Sequence, residues 1–191
     1  QLNDCWPVTS WSSIDYYNSW KASQYQVKRS YEDVIVSIDE KKTTCDIYVI
    51  SDNMEKLSGE LDVELFDFNG KLLWTNSIFI DVDYNVSKMV YQFNLDSLKN
   101  IDKSSVVLKC TFVMMGRPVF YASALHYFVK PKDLKLQRTD ITVSLGENSI
   151  MLKSTILMKD VCILIEGKSI NLRDNYFDLM PNEEKIIYLR F

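Results

Sequence analysis

The chain has 191 residues, 47% hydrophobic and 25% charged, with only 5 Gly and 4 Pro, a composition that buries a core and excludes collagen-like, disordered and linker-dominated chains. Its net charge is −4 and it has no Lys/Arg run or basic stripe, so no nucleic acid partner is expected. No apolar run approaches the roughly 18 residues of a membrane-crossing helix, so no membrane partner is expected either.

The chain opens on Gln1-Leu2-Asn3-Asp4-Cys5-Trp6. A polar start without a basic and then apolar leader reads as the interior of a longer polypeptide, and no compartment is assigned from it. Residues 1–32 are dense in aromatics: Trp6, Trp11, Tyr16, Tyr17, Trp20, Tyr25 and Tyr31. Asn18 or Ser19 is placed to cap a helix on which Trp20, Gln24, Val27 and Tyr31 share one face.

From position 33 the period changes to that of strands. Val34, Val36 and Ile38 alternate with Ile35, Ser37 and Asp39, and Cys45, Ile47 and Val49 with Asp46, Tyr48 and Ile50. Leu61, Val63 and Leu65 continue the pattern up to Asn69-Gly70, a hairpin signal because both residues tolerate positive φ. Strand-like runs return at 72–74, 77–82, 89–93 and 106–114, then at 119–129 after a turn at Gly116-Arg117-Pro118. About seven strands over some 100 residues predict an immunoglobulin-like β-sandwich. Pro131-Lys132-Asp133-Leu134 reads as a linker. A second group follows at 141–145, 149–155, 161–165 and 185–191, with Gly146 and Gly167 at turns. A unit of about 55 residues is marginal alone and is expected to lean on a neighbour. The predicted division is 1–32, a sandwich at 33–130, a linker at 131–139 and a small second β-sandwich at 140–191.

Few constellations point to chemistry. Most glycosidases hold two carboxyl groups about 5–10 Å apart. Glu32-Asp33, Asp81 with Asp83, and Glu183-Glu184 are adjacent, but each falls at an element end, where solvated charge is the expected state. Asp81-Val82-Asp83-Tyr84-Asn85 resembles the start of a calcium loop, yet Val86 and Gln92 stand where Gly and Glu are required. His126 is the single histidine, lies in a strand pattern and has a structural role. The four cysteines, Cys5, Cys45, Cys110 and Cys162, are scattered without a C-x-x-C, so no metal and no cofactor is expected. Cys45 and Cys110 fall on inward positions of the second and sixth strands, the pair bridged in antibody domains. The reading favours two buried thiols, with a Cys45–Cys110 disulfide as the alternative in an oxidising compartment. Asn85-Val86-Ser87 is a glycosylation sequon, relevant only in a eukaryotic secretory pathway. The aromatics of 1–32 suit either an interdomain core, which is favoured, or stacking against sugar rings.

The run Gln1-Leu2-Asn3-Asp4-Cys5-Trp6-Pro7-Val8-Thr9-Ser10-Trp11-Ser12-Ser13-Ile14-Asp15-Tyr16-Tyr17, continued by Trp20-Lys21-Ala22, closely resembles a block of glycoside hydrolase family 2 β-mannosidases. In that family it forms the last strand of the catalytic (β/α)8 barrel with the loop and helix after it. Ser58-Gly59-Glu60-Leu61 and Leu65-Phe66-Asp67-Phe68-Asn69-Gly70-Lys71-Leu72-Leu73-Trp74 resemble its first sandwich domain. Asp174-Asn175-Tyr176-Phe177-Asp178-Leu179-Met180-Pro181 resembles its small terminal sandwich. Ser23-Gln24 is more polar than the family's helix, and Asn182 replaces a common Gly. The resemblance implies a retaining hydrolase of terminal β-linked mannose whose two catalytic glutamates lie upstream of Gln1. The isolated chain is therefore expected to be inactive, with no catalytic residue of its own. Its implied partners are the catalytic barrel of the same polypeptide and, in the intact enzyme, a mannose-containing oligosaccharide. Asn3, Asp4 and Trp6 are implied to lie near the sugar as shaping or positioning residues. The alternative is a non-catalytic carbohydrate-binding or protein-interaction β-sandwich module.

Overall fold

Apolar and polar residues alternate from position 34 and build seven antiparallel strands: β1 (Val34–Glu40), β2 (Thr44–Ser51), β3 (Leu57–Asp67), β4 (Leu72–Val82), β5 (Val86–Asn94), β6 (Val106–Met114) and β7 (Tyr121–His126). The computed structural model describes residues 1–116, 121–165 and 172–189. Two units emerge: Glu32–Leu136 forms one, and Gln1–Tyr31 together with Gln137–Phe191 forms the other.

In the first unit β1-β2-β5 make one sheet and β4-β3-β6-β7 the other. The immunoglobulin-like sandwich expected from the alternation is thus present. Its core lies between the sheets, where Ile47, Leu61, Leu65, Phe93, Leu108 and Phe112 are fully buried. Each such side chain contributes roughly 1.5–3 kcal/mol relative to exposure. Strand alternation explains the selection: on β6, Val106, Leu108, Cys110, Phe112 and Met114 are all buried, the set of positions that shares one sheet face.

Asn69-Gly70 does turn the chain, by a different geometry from the one expected. Gly70 has φ 86°, and Asn69 is absent from the positive-φ positions of the described residues. The loop is instead organised by Asp67, whose carboxylate accepts from the backbone N–H of Asn69 (2.9 Å) and Lys71 (2.8 Å). The runs at 72–74 and 77–82 are one strand, β4. The expected turn at Arg117-Pro118 and the start of the strand after it lie outside the described residues. The segment after Pro131 is held to this unit. Lys135 N–H donates to the Ser104 carbonyl (2.9 Å), and its ammonium pairs with Asp102 (2.7 Å).

The second unit contains the one α-helix of the described residues, α1 (Ala22–Ser30), and five short strands: β8 (Thr142–Leu145), β9 (Ser149–Lys153), β10 (Met158–Val161), β11 (Phe177–Leu179) and β12 (Glu184–Tyr188). Strand order is β12-β9-β8 in one sheet and β10-β11 in the other. Ile150, Leu152, Leu172, Phe177, Leu179 and Ile187 form its core. The strand expected at 161–165 is displaced to Met158–Val161, and β11 was not anticipated. Asn175 is the reason for the difference. Its buried side chain accepts from Ile163 N–H (2.8 Å) and donates to the Ile163 carbonyl (2.9 Å), pairing residue 163 through an amide rather than a ladder. Gly146 turns the chain from β8 to β9 with its N–H donating to the Ser149 carbonyl (2.8 Å); Gly167 and the end of the last predicted strand lie outside the described residues.

The helix corrects two expectations. Lys21, with extended backbone, occupies the cap position, and neither Asn18 nor Ser19 caps it. Asn18 sits at φ 64° in a turn, and Ser19 N–H donates to the Asp15 carboxylate at 2.7 Å. The buried face centres on Tyr25, 2% exposed, whereas Val27 and Tyr31 of the expected stripe are exposed. Tyr25 is chosen because its ring packs on Trp20 (5.4 Å between centroids) and on Tyr176 of the small sandwich (5.8 Å). The N-terminal segment and the small sandwich thus share one compact unit.

Candidate functional site

The segment from Gln1 to Lys21 is mostly loop, tied by isolated bridges between Asn3 and Ile14 and between Ile14 and Trp20. Backbone bonds reinforce them: Asp4 N–H to the Ile14 carbonyl (3.1 Å), Ser13 and Ile14 N–H to the Leu2 carbonyl (3.1 and 2.9 Å), and Lys21 N–H to the Ser13 carbonyl (2.9 Å).

Asp4 is the centre of this segment. It is buried, and a buried carboxylate must find donors. Ser10 Oγ donates to its Oδ1, Lys21 Nζ lies 3.1 Å from its Oδ2, and Gln1 Nε2 reaches Oδ1 at 3.4 Å. Lys21 Nζ also donates to Ser12 Oγ (2.8 Å) and to the Ser10 carbonyl (3.3 Å). The hydrogen bond from Ser10, followed by those from Ser12 and Lys21, holds the Asp4 carboxyl below its ordinary pKa despite burial. Asp4 therefore remains ionised with its oxygens turned inward. It anchors the loop, tying Gln1, Ser10 and Lys21 together through its two oxygens.

Asn3 and Trp6 are outward where Asp4 is inward: Asn3 is exposed and Trp6 is 65% exposed. Trp11 is 92% exposed, and Tyr16 and Tyr17 are also exposed. Of the three tryptophans of this segment only Trp20 is packed, against Tyr25. The exposed rings do not form one flat platform, because Tyr16 and Tyr17 meet edge-on at 80°. Lys21, Ser10 and Ser12 were missed in the sequence. A serine-rich loop ahead of a lone lysine is a faint signal, and only the fold brings them to one carboxylate.

The paired carboxylates elsewhere are engaged on the surface. Asp83 pairs with Lys56 (2.7 Å), Asp81 accepts from Ser58 Oγ (2.5 Å), and Glu184 pairs with Lys153 (3.0 Å). None of these carboxylates lines the open clefts beside Lys42 or beside Gln137. Two open clefts, about 370 Å³ beside Lys42, Leu98, Lys99 and Lys103 and about 710 Å³ beside Gln137–Asp140 and Met158, carry no carboxylate pair either. No group of three or more His, Cys, Asp or Glu side chains is placed to hold a metal among the described residues.

Cys45 and Cys110 are buried free thiols on opposite sheets of the sandwich, and Cys5 and Cys162 are exposed free thiols. Both inner thiols are pushed up to about 12, first by burial and then by nearby groups, Glu40 and Asp46 for Cys45 and Cys45 and Glu64 for Cys110.

Comparison with known proteins places these features in a family context. A family described as a Mannosidase Ig/CBM-like domain matches residues 43–133, and a second, described as an Ig-fold domain of mannosidases, matches residues 131–191. The chain is 30% identical to β-mannosidase A of Aspergillus terreus, covering 98% of this chain and 22% of that protein. It is 23% identical to β-mannosidase B of Thermothelomyces thermophilus over 96% of this chain and 24% of that protein. The chain thus spans less than a quarter of the length of these relatives. The crystal structure of β-D-mannosidase from Dictyoglomus thermophilum superimposes with a TM-score of 0.84 at 28% identity, covering all of this chain and 23% of that one. The exo-chitosanase CsxA of Amycolatopsis orientalis shares the fold at a TM-score of 0.66 and 14% identity, over all of this chain and 27% of that one.

Proposed function

The chain belongs to the glycoside hydrolase family 2 β-mannosidases as a C-terminal part with their Ig-like domains, and from that premise we propose that it serves an enzyme that removes terminal β-linked mannose from oligosaccharides with retention of configuration. In this reading the two carboxyl groups of the reaction come from a catalytic barrel in the rest of the polypeptide. Retention needs them about 5–5.5 Å apart. Residues 33–191 buttress the barrel, and residues 1–32 end it.

The observation that carries the reading is the arrangement around Asp4. An internally satisfied carboxylate fixes a loop that turns Asn3 and Trp6 outward. Trp6 supplies an apolar ring for a sugar face and Asn3 an amide for its hydroxyls, while Asp4 positions both. A ring held in place before the substrate arrives loses little freedom on binding.

The test is made in the enzyme containing the barrel. Trp6→Ala raises KM for an aryl β-mannoside on the order of tenfold, the factor that corresponds to about 1.4 kcal/mol of lost contact. Asp4→Ala lowers kcat/KM. Activity unchanged in both variants would remove these residues from the sugar site. The isolated chain turns over no aryl β-mannoside; turnover above the buffer rate, lost on mutation within this chain, would overturn the assignment of the chemistry to the barrel.

The exposure of Trp6 and Trp11 also suits a non-catalytic carbohydrate-binding module. Retention of the isolated chain on a mannan column, lost in Trp11→Ala, would favour that second reading.

A further inference from the structure

Helix α1 is held at both ends by ion pairs to different parts of its unit. At its N-terminal end Lys21 reaches back to Asp4 at 3.1 Å. At its C-terminal end Arg29 reaches the small sandwich: Nη1 donates to Asp174 Oδ1 (2.6 Å) and to the Asn175 carbonyl (3.1 Å), and Nη2 donates to the Tyr176 carbonyl (3.0 Å). Lys28 Nζ adds a bond to the Arg173 carbonyl at 2.7 Å. Between these ends Tyr25 is buried against Trp20 on one side and Tyr176 on the other.

The receiving side is built for this contact. Asp174 lies between two cations, Arg29 and Lys185, the latter at 2.9 Å from its Oδ2, and Asn175 N–H donates to its Oδ1 at 3.0 Å. Asn175 is locked by its two bonds to the backbone of residue 163. Tyr176 adopts φ 52°, a conformation costly for a residue with a Cβ, and in it the residue 176 carbonyl accepts from Arg29. A guanidinium donating to one carboxylate and two carbonyls fixes direction as well as distance, which a lysine in its place would not.

We propose that Asp174 and Arg29 are positioning residues for the Asn3–Trp6 loop, acting through α1 as a strut that joins the small sandwich to the Asp4 anchor. The small sandwich thereby acts on the segment that precedes the larger one in the chain, Arg29 and Asp174 being 145 positions apart. That the loop borders a sugar rests on the function proposed above; that the strut fixes the loop does not.

Amide hydrogen exchange of the whole chain by NMR tests the strut. Asp174→Asn and, from the other side, Arg29→Gln raise exchange at the amides of Asp4, Ser13 and Ile14 by about tenfold or more, while the amides of β9 and β12 keep their protection. Asp174→Glu restores most of it, and Lys153→Gln, which removes a surface pair of the same sandwich, leaves all these amides unchanged. Unchanged exchange at Asp4, Ser13 and Ile14, or an equal rise throughout β9 and β12, would overturn the proposal, the second result because it marks a general loss of stability. In the enzyme containing the barrel, Asp174→Asn then raises KM for an aryl β-mannoside severalfold with kcat little changed. Raised loop exchange with unaltered kinetics would leave the strut standing and sink the placement of the loop beside the sugar.

Discussion

His126 Nε2 lies 2.8 Å from Glu40 Oε2, joining the last residue of β7 in one sheet to the last residue of β1 in the other. The His126 ring also meets Phe128 edge-on at 5.0 Å. The single histidine of the chain is therefore a clasp between the two sheets of the sandwich, in keeping with the structural role read from its strand position.

The clasp is half-buried, so its worth is modest. A double-mutant cycle with Glu40→Gln and His126→Gln gives a coupling of about 0.5–1 kcal/mol in urea unfolding of the chain near pH 6. Strictly additive single effects would show that the two side chains do not act as a pair.

The thiols divide into two classes. A thiol reagent at pH 8 labels Cys5 and Cys162 in the native chain, and Cys45 and Cys110 only after denaturation. Four reactive thiols in the denatured, unreduced chain match free Cys45 and Cys110; two would reveal a disulfide between them. Both inner thiols are raised by burial from 9.0 to about 12. The folded state keeps its protons where the unfolded state has released them, so this contribution is complete below pH 9 and falls as pH rises toward 12. The Cys45→Ala, Cys110→Ala double variant loses that alkaline slope; an unaltered slope would assign it to other groups.

Gly59 is required by contact, not by φ. A Cβ there would overlap the Val113 carbonyl oxygen and lie 2.8 Å from Phe112 Cε2. Gly59→Ala costs about 2 kcal/mol or more in urea unfolding, because β6 backbone and a core ring must both move. A change below about 0.5 kcal/mol would mean that β3 and β6 separate without cost.

Asp4 predicts an acid limb. Its carboxyl is held below the ordinary value of 3.8, first by the Ser10 hydrogen bond. A depressed folded pKa stabilises the fold above the unfolded value and is lost as pH falls below it. Tryptophan fluorescence of the chain, followed in urea from pH 6 to pH 2.5, shows a midpoint that falls more steeply for the parent than for Asp4→Asn. Parallel curves would show that the carboxylate charge plays no part in anchoring the loop.

Much of the larger unit was legible because strand alternation is local. Val34 to Ile38, Cys45 to Val49 and Val106 to Met114 each declare an inner face within a few residues, and a two-residue period leaves only two faces to choose between. The resemblance marks Asp4 only as a candidate for the sugar site; its burial is not legible, since Ser10, Ser12 and Lys21 have no periodic relation to it.

The sequence by itself determined which segments alternate, that Cys45 and Cys110 point inward, and that the 1–22 block is of the β-mannosidase kind. The tertiary structure decided the rest. A helix offers many possible buried faces, and the choice of Tyr25 over Val27 and Tyr31 was made by Tyr176, a residue far along the chain. Arg29 and Asp174 read as ordinary surface charges until folding brings them to 2.6 Å. Periodicity reports what a segment does against its immediate neighbours; which distant surface completes it is set by the packing of the whole unit.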